Sequence, residues 1–341
     1  MEEKAWRTLR LTINGLGHMV RYNQETIDNL FLPFLRRMSK LQREKGTRIV
    51  VYLVAPPGTG KSTLALLLEK LSLTDSNLVP VQALGLDGFH YHADYIRTHT
   101  VERDGKQVPM SMVKGCPETF DVEHLLDKLQ TLHAEECRWP IYDRTTHDVV
   151  EEVVKVRRPI VLLEGNWLLL GDDRWLTVRN YADYSLFVGA EPQDLKERLI
   201  QRKMMGGKSR EEAEIFYRNS DRVNVERVLK KSWPADETWQ MLSDGDYQLR
   251  GKMMPNRMVN REVLWKKPDV TIDNSLLSGI NRRISAEKGD VGALYKNGYA
   301  EGLSHARRAI LRKLYQDGTM SSKAIMETFD LTDEELQQIL K

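Results

Sequence analysis

Nine residues, Ala55-Pro56-Pro57-Gly58-Thr59-Gly60-Lys61-Ser62-Thr63, directly follow the apolar, β-branched run Ile49–Val54. Such a run predicts a strand buried on both faces. A helical pattern begins near Lys61, so the nine residues join a buried strand to a helix. Strand, glycine-rich loop ending in Gly-Lys-Ser, and helix together are what a phosphate-binding loop requires. Backbone N–H groups around Gly58 and Gly60 are placed to surround a phosphate, assisted by the positive end of the following helix. Lys61 supplies a point charge to the β- and γ-phosphates, and the Ser62 hydroxyl an oxygen to Mg²⁺. Pro57, Gly58, Thr59, Gly60, Lys61, Ser62 and Thr63 are therefore the expected ATP-binding residues. Ala55 stands where the usual pattern has its first glycine, which requires a negative φ there. The alternative is a glycine-rich turn with a chance lysine.

Around this loop the chain alternates strand-like and helix-like segments. Further apolar runs at 79–86, 159–163, 184–188 and 270–272 predict strands, and amphipathic stretches at 61–71, 122–132 and 192–203 predict helices. Such alternation indicates an α/β fold with a mainly parallel, five-stranded sheet flanked by helices. Residues 1–47 are read as a helical extension. Asn23 caps a helix over 24–45, and Pro33 kinks or breaks it. Residues 48–277 form the core. Residues 232–267, with two prolines, two glycines and no clear period, are read as an insertion in it. From 278 to 341 the pattern is helical again.

Composition narrows the function classes. Lys and Arg number 51 against 49 Asp and Glu, so a net charge of +2 provides no overall field for gripping nucleic acid or an anionic membrane. Two cysteines, Cys116 and Cys137, are too few for a disulfide framework, and no Cys/His cluster has zinc spacing. The charged N-terminus lacks a signal-peptide core, and no apolar run has the length of a membrane helix. A soluble, cytoplasmic protein is expected, with no nucleic-acid or membrane partner.

The reaction must be read from the acceptor side. The second strand ends in Gly85-Leu86-Asp87-Gly88-Phe89-His90. Carboxyl ends of strands in such sheets face the ligand crevice, which directs Asp87 toward the γ-phosphate. A carboxylate there accepts a hydroxyl proton and helps hold Mg²⁺; an Asp-Gly pair is otherwise a turn. Downstream come Lys114-Gly115-Cys116-Pro117-Glu118-Thr119-Phe120-Asp121, then Pro140-Ile141-Tyr142-Asp143-Arg144, then Glu164-Gly165-Asn166-Trp167. Together these segments resemble the uridine kinase, phosphoribulokinase and type I pantothenate kinase family, over roughly residues 49–224 and the strand near Asp269.

The resemblance implies a P-loop kinase fold and places Asp87 at the catalytic base. It also places Glu164 at the acidic end of the second phosphate-site strand, acting through Mg²⁺ with Ser62 and Asp87. It assigns His90, Lys114, Glu118, Tyr142, Asp143, Arg144 and His147 to the acceptor pocket. Other roles stay open for some of these: Tyr142 as a core aromatic, Arg144 as a partner of Asp143, and His90 as a histidine satisfied within the fold. Uridine kinases have histidine and aspartate in place of Cys116 and Glu118, so a pantothenate-like or sugar acceptor is favoured over a nucleoside.

Residues 191–222 read as a lid: a helix carrying Arg198 and Arg202 on one face, a Gly206-Gly207 break, then a second helix opened by a Ser209/Glu212 capping box. The two arginines suit a phosphoryl clamp because the planar guanidinium binds oxygens bidentately. A solvated basic helix paired to Glu197 and Glu211 is the alternative. Residues 101–108 read as a hairpin flap. The expected protein is an ATP- and Mg²⁺-dependent kinase of a small-molecule hydroxyl, catalysed by Asp87, Lys61, Arg198 and Arg202. The rival is a nucleotide-dependent switch acting on the helical tail, with short helices over 306–340. The N-terminal helices are expected to cover the sheet or to form part of a homodimer.

Overall fold

The computed structural model describes residues 4–13, 16–103, 105–132, 137–252 and Leu336. The chain divides into two units, Met1–Met253 and Met254–Lys341, and the strands and helices of the described residues belong to the first. The strand expected at 270–272, the end of the supposed insertion and the tail at 278–341 lie outside the described residues, Leu336 excepted.

The N-terminal segment departs most from its sequence reading. Trp6–Ile13 (β1) and Leu16–Asn23 (β2) are antiparallel strands in register from Trp6↔Asn23 to Ile13↔Leu16. The helical expectation for residues 1–47 is thus wrong before Asn23. The apolar residues there recur at a period of two, so that Leu9, Leu11, Val20 and Tyr22 share the face packed on the core. From Asn23 the expectation holds. Its side chain accepts from the Glu25 N–H and caps α1 (Gln24–Thr26), which passes through a π turn (Ile27–Phe31) into α2 (Leu32–Lys45). Pro33 has no N–H to donate, and the widened turn just before it absorbs that loss.

Strand β3 (Ile49–Val54) is buried along its whole length. The loop after it leads into α3 (Lys61–Ser72), followed by β4 (Val81–Gly85) and a 3₁₀ turn at Leu86–Phe89. Helix α4 (Ala93–Thr98) precedes the hairpin β5 (Thr100–Arg103) and β6 (Lys106–Pro109), at the position of the expected flap. Next come α5 (Val122–Thr131), a second hairpin of β7 (Cys137–Asp143) and β8 (Asp148–Val156), β9 (Ile160–Gly165) and β10 (Tyr184–Ala190). Helices α6 (Pro192–Met205), α7 (Arg210–Phe216) and α8 (Arg222–Lys231) come after β10, and the Ser209/Glu212 capping box is present.

The expected insertion is instead part of the main sheet. Residues Glu237–Met241 (β11) pair parallel with β10, and Tyr247–Lys252 (β12) pairs antiparallel with β11. The sheet runs β12-β11-β10-β3-β9-β4. Its five parallel strands, from β4 across to β11, match the mainly parallel sheet expected, and β12 adds an antiparallel edge.

Polar residues inside β11 hid it. Glu237 is fully buried, paired with Arg37 at 2.6 Å and accepting from the Trp239 indole at 2.7 Å and the Tyr184 hydroxyl at 3.0 Å. A buried carboxylate is tolerable only with such partners.

The sheet separates two apolar layers. Ile49, Val51 and Leu53 face a core shared with the N-terminal hairpin, α2, α3 and α6. Val50, Tyr52 and Val54 face the other, built on α5, Trp139 and Trp167. No helix among the described residues is long and apolar enough to cross a membrane.

Candidate active site

The loop between β3 and α3 has the backbone that its glycines permit. Gly58 (φ 90°) and Gly60 (φ 79°) are left-handed, a conformation in which a side chain is strained. Ala55 is not, since among the described residues only His147 and Glu152 combine a side chain with positive φ. Thr59 is buried and donates through Oγ1 to the Pro56 carbonyl at 3.0 Å. The loop is held from two further elements. The Tyr247 hydroxyl on β12 donates to the Thr59 carbonyl at 3.1 Å, and Arg198 Nε on α6 donates to the Gly58 carbonyl at 2.7 Å. Burial pushes the Tyr247 phenol up to about 12, so it remains a donor.

On one side of the loop, three strand ends converge. Glu164, near the end of β9, accepts from the Ser62 hydroxyl at 2.6 Å through Oε1, and its Oε2 lies 3.8 Å from Lys61 Nζ. Burial raises the Glu164 carboxyl above its usual range; Lys61 opposes the rise and the nearby Asp87 adds to it. Asp87 occupies the 3₁₀ turn after β4 and faces Arg144 at 4.0 Å.

Gly88 explains the Asp-Gly pair. A Cβ there would lie 2.4 Å from the Pro140 carbonyl oxygen, so the turn lies directly against β7 and only glycine fits. The Trp139 indole donates to the Gly85 carbonyl at 2.9 Å and locks the same junction. Ser62, Asp87, Gly88, Tyr142, Arg144 and Glu164 are among the residues lining a cavity of about 190 Å³.

These oxygens suit Mg²⁺. It takes one or two carboxylates and fills its octahedron with phosphate oxygens and water. Ser62, Asp87 and Glu164 supply hard donors. Among the described residues no group of three His, Cys, Asp or Glu side chains could hold a metal ion unaided. The charge repulsion between Glu164 and Asp87 is what a bound dication would relieve.

The remaining expected site residues divide. Lys114 Nζ donates to the Tyr142 hydroxyl at 2.8 Å and to the His147 carbonyl at 3.1 Å, while His90 meets the Tyr142 ring edge-on. His90 is also buried, stacked on Phe120 at 3.8 Å with Nδ1 3.1 Å from the Thr119 carbonyl, and burial lowers its pKa. Its Nδ1 is satisfied within the fold.

Glu118 turns away into an ion pair with Arg227 at 2.6 Å, and Arg227 also holds Asp172 at 3.0 Å. Asp143 serves its own turn, accepting from the Thr145 N–H at 2.8 Å and the Thr146 hydroxyl at 3.1 Å. Arg144 therefore partners Asp87, not Asp143. Of the two arginines on α6, Arg198 reaches the phosphate loop. Arg202 is exposed and acts electrostatically on Lys203 and Asp221.

Sequence reasoning missed Tyr247 and Arg227. The former lay in the segment read as an insertion. The only signal for the latter was its place on the helix that follows α7.

No family model matches the chain. It is 42% identical over 240 residues to the uncharacterized protein YggC of Escherichia coli K12, covering 70% of this chain and 98% of that one. It is 28% identical over 190 residues to a pantothenate kinase of Enterococcus faecalis, covering 52% of this chain and 59% of the kinase. Among solved structures, a Silicibacter sp. TM1040 protein provisionally assigned as a fructose transport system kinase aligns with a TM-score of 0.52 and 26% identity. That alignment covers 60% of this chain and 98% of the other. With the loop, the carboxylates at the ends of β4 and β9 and the helix pair α6–α7 all in place, the chain belongs to the uridine kinase, phosphoribulokinase and pantothenate kinase family of P-loop small-molecule kinases.

Proposed function

We propose that the protein transfers the γ-phosphoryl group of ATP to a hydroxyl of a small metabolite, with a pantothenate-like or sugar acceptor. The observation that carries this reading is the convergence of Asp87, Arg144, Glu164 and Ser62 on one small cavity beside Lys61. One wall of the cavity is the start of α3, at Ser62, Ala65 and Leu66, and another is the β7–β8 hairpin with Tyr142 and Arg144, which supports an acceptor site there.

The chemistry follows from the residues. Asp87 accepts the proton of the acceptor hydroxyl as its oxygen bonds to the γ-phosphorus, and the bond from that phosphorus to the β–γ bridging oxygen breaks to release ADP. Lys61 and the loop amides hold the phosphates against the negative charge that accumulates. Mg²⁺ held by Ser62, Glu164 and Asp87 would supply further positive charge to the phosphate oxygens. Arg144, 4.0 Å from the Asp87 carboxylate, adds positive charge beside it. Closure of α6 and α7 over the loop would exclude water, so that a hydroxyl receives the group in preference to solvent.

A screen of ADP release from ATP and Mg²⁺ against sugars, pantothenate and nucleosides tests the reading. Release that depends on a sugar or on pantothenate is expected. Firm ATP binding with no acceptor-dependent turnover would favour the nucleotide switch.

A further inference from the structure

A second, larger cavity of about 440 Å³ also borders the phosphate loop and shares no lining residue with the first. Gly60, Thr63 and Arg198 line it where it meets the loop, and Gly245 and Tyr247 line it on the β11–β12 side. Its remaining wall is the N-terminal hairpin, through Trp6 and Arg21. The volume falls in the range of small-ligand sites. Ser62 opens on the acceptor cavity while Gly60 and Thr63 open on this one. A triphosphate cradled by the loop has one end at each.

The hairpin wall is fixed to the loop by a polar network. Lys4 pairs with Asp244 at 2.7 Å and with Asp246 at 2.8 Å. Asp246 accepts from Asn23 at 3.1 Å and from the Thr26 hydroxyl at 2.6 Å. Tyr22 stacks on Tyr247 at 6.3 Å, and Tyr247 bonds the Thr59 carbonyl of the phosphate loop. Arg198 spans the gap, its guanidinium close to both Gly60 and Gly245. On the hairpin, the Arg21 guanidinium lies over the Trp6 ring at 5.2 Å. An aromatic face and a planar cation held together are what a flat, electron-rich heterocycle stacks on.

We propose that this cavity receives the nucleoside end of the donor triphosphate, and that Trp6 and Arg21 of the hairpin are specificity-determining residues stacked against its base. The proposal rests on the donor half of the kinase reading, not on the acceptor. The acceptor cavity takes the γ-phosphate end, and the base lies at the other end of the loop, against the hairpin. Donor affinity is then set partly by a segment that precedes the first strand of the parallel sheet.

The test compares ATP with inorganic tripolyphosphate, which has the phosphates and no base, by calorimetry in Mg²⁺ without any acceptor. Wild-type protein should bind ATP more firmly than tripolyphosphate. Trp6→Ala should weaken ATP and ADP about tenfold or more, since loss of base stacking carries such factors. Tripolyphosphate binding should change by less than about twofold. Trp6→Phe should restore most of the ATP affinity, and Arg21→Ala should show a smaller loss with the same selectivity. Equal losses for ATP and tripolyphosphate would overturn the proposal, because they would mean that the hairpin only supports the loop. Unchanged ATP binding in Trp6→Ala, or a wild type that does not distinguish the two ligands, would overturn it as well. Failure to find any phosphorylated acceptor would overturn the kinase reading and leave these binding differences intact.

Discussion

Gly88→Ala is the smallest change that reaches the proposed base without touching it. The new methyl group would lie 2.4 Å from the Pro140 carbonyl oxygen and 2.6 Å from its carbon. Ordinary contact begins near 3.4 Å, so the turn carrying Asp87 must move off β7 by about 1 Å. Neither side yields easily, because the Trp139 indole is bonded to the Gly85 carbonyl and buried with Phe89 against it. Overpacking of this kind costs about 1–3 kcal/mol, or roughly 2–10 °C in melting temperature for a domain of this size. A misplacement of about 1 Å at a reacting group costs about 10² in rate. With the acceptor found by the screen, coupled ADP release should show turnover falling about 10²-fold while ATP affinity stays within about threefold. Gly251→Ala, where nothing lies within 4 Å, is the control and should leave both unchanged. Turnover within about threefold of wild type in a Gly88→Ala protein of unchanged melting temperature would refute the placement of Asp87 as the base.

Lys61→Ala should weaken ATP binding and lower turnover by about 10² or more, because the phosphates lose their nearest fixed cation; titration calorimetry and ADP release check both. Asp87→Asn keeps the side chain's size and removes its basicity, so single-turnover transfer should fall by at least about 10² with ATP still bound; near-normal transfer would require another base. Arg227→Met removes the partner of Glu118 and Asp172 and should destabilise the fold by about 2–3 kcal/mol, read by thermal melting. Burial pushes the Glu118 carboxyl up, but hydrogen bonds from Cys116 and Arg227 outweigh it and leave it below its usual range. Its contribution is therefore present above the ordinary carboxylate pKa and lost as pH falls through the lowered one. The gap in melting temperature between wild type and Arg227→Met should accordingly narrow below about pH 4.5.

What could be read in the sequence was what rests on local pattern. Strand, glycine loop and helix around Lys61 needed only neighbouring residues, as did the Asn23 cap and the Ser209/Glu212 box. Asp87 was legible because strand ends in an open parallel sheet face one crevice, whereas Glu164 was legible only through the family resemblance. The hairpin β1–β2 was legible too, in its period-two alternation and in Asn14-Gly15 between the two runs, the strongest short hairpin signal; a helical reading of 1–47 passed over it. Strand β11 was not legible. Its buried Glu237 and Gln240 read as surface until Arg37, Trp239 and Tyr184 are seen to satisfy Glu237, and Arg250 to donate to Gln240 at 2.9 Å. Nor could spacing show that Glu118 would be taken by Arg227, a contact across 109 positions. Polar residues committed to distant partners resemble solvent-exposed ones until the partner is known.

The tie between Lys4 and Asp244 spans 240 positions, and that between Asn23 and Asp246 spans 223. Both close a loop containing the whole parallel sheet as far as β11. On a ribosome adding about 5–20 residues per second, the hairpin waits roughly 10–50 s for its anchor to be made. During that wait the hairpin has α2 and α3 to pack on but lacks its β11–β12 anchor, and a two-stranded ribbon is marginal alone in water. Contacts this distant in sequence form late and slow folding. The nascent chain is thus most open to capture by chaperones, or to mispairing along the β1–β2 edges, after most of the protein has been synthesised. Transposing residues 4–23 to follow residue 252 through flexible linkers should shorten that interval and raise the soluble yield.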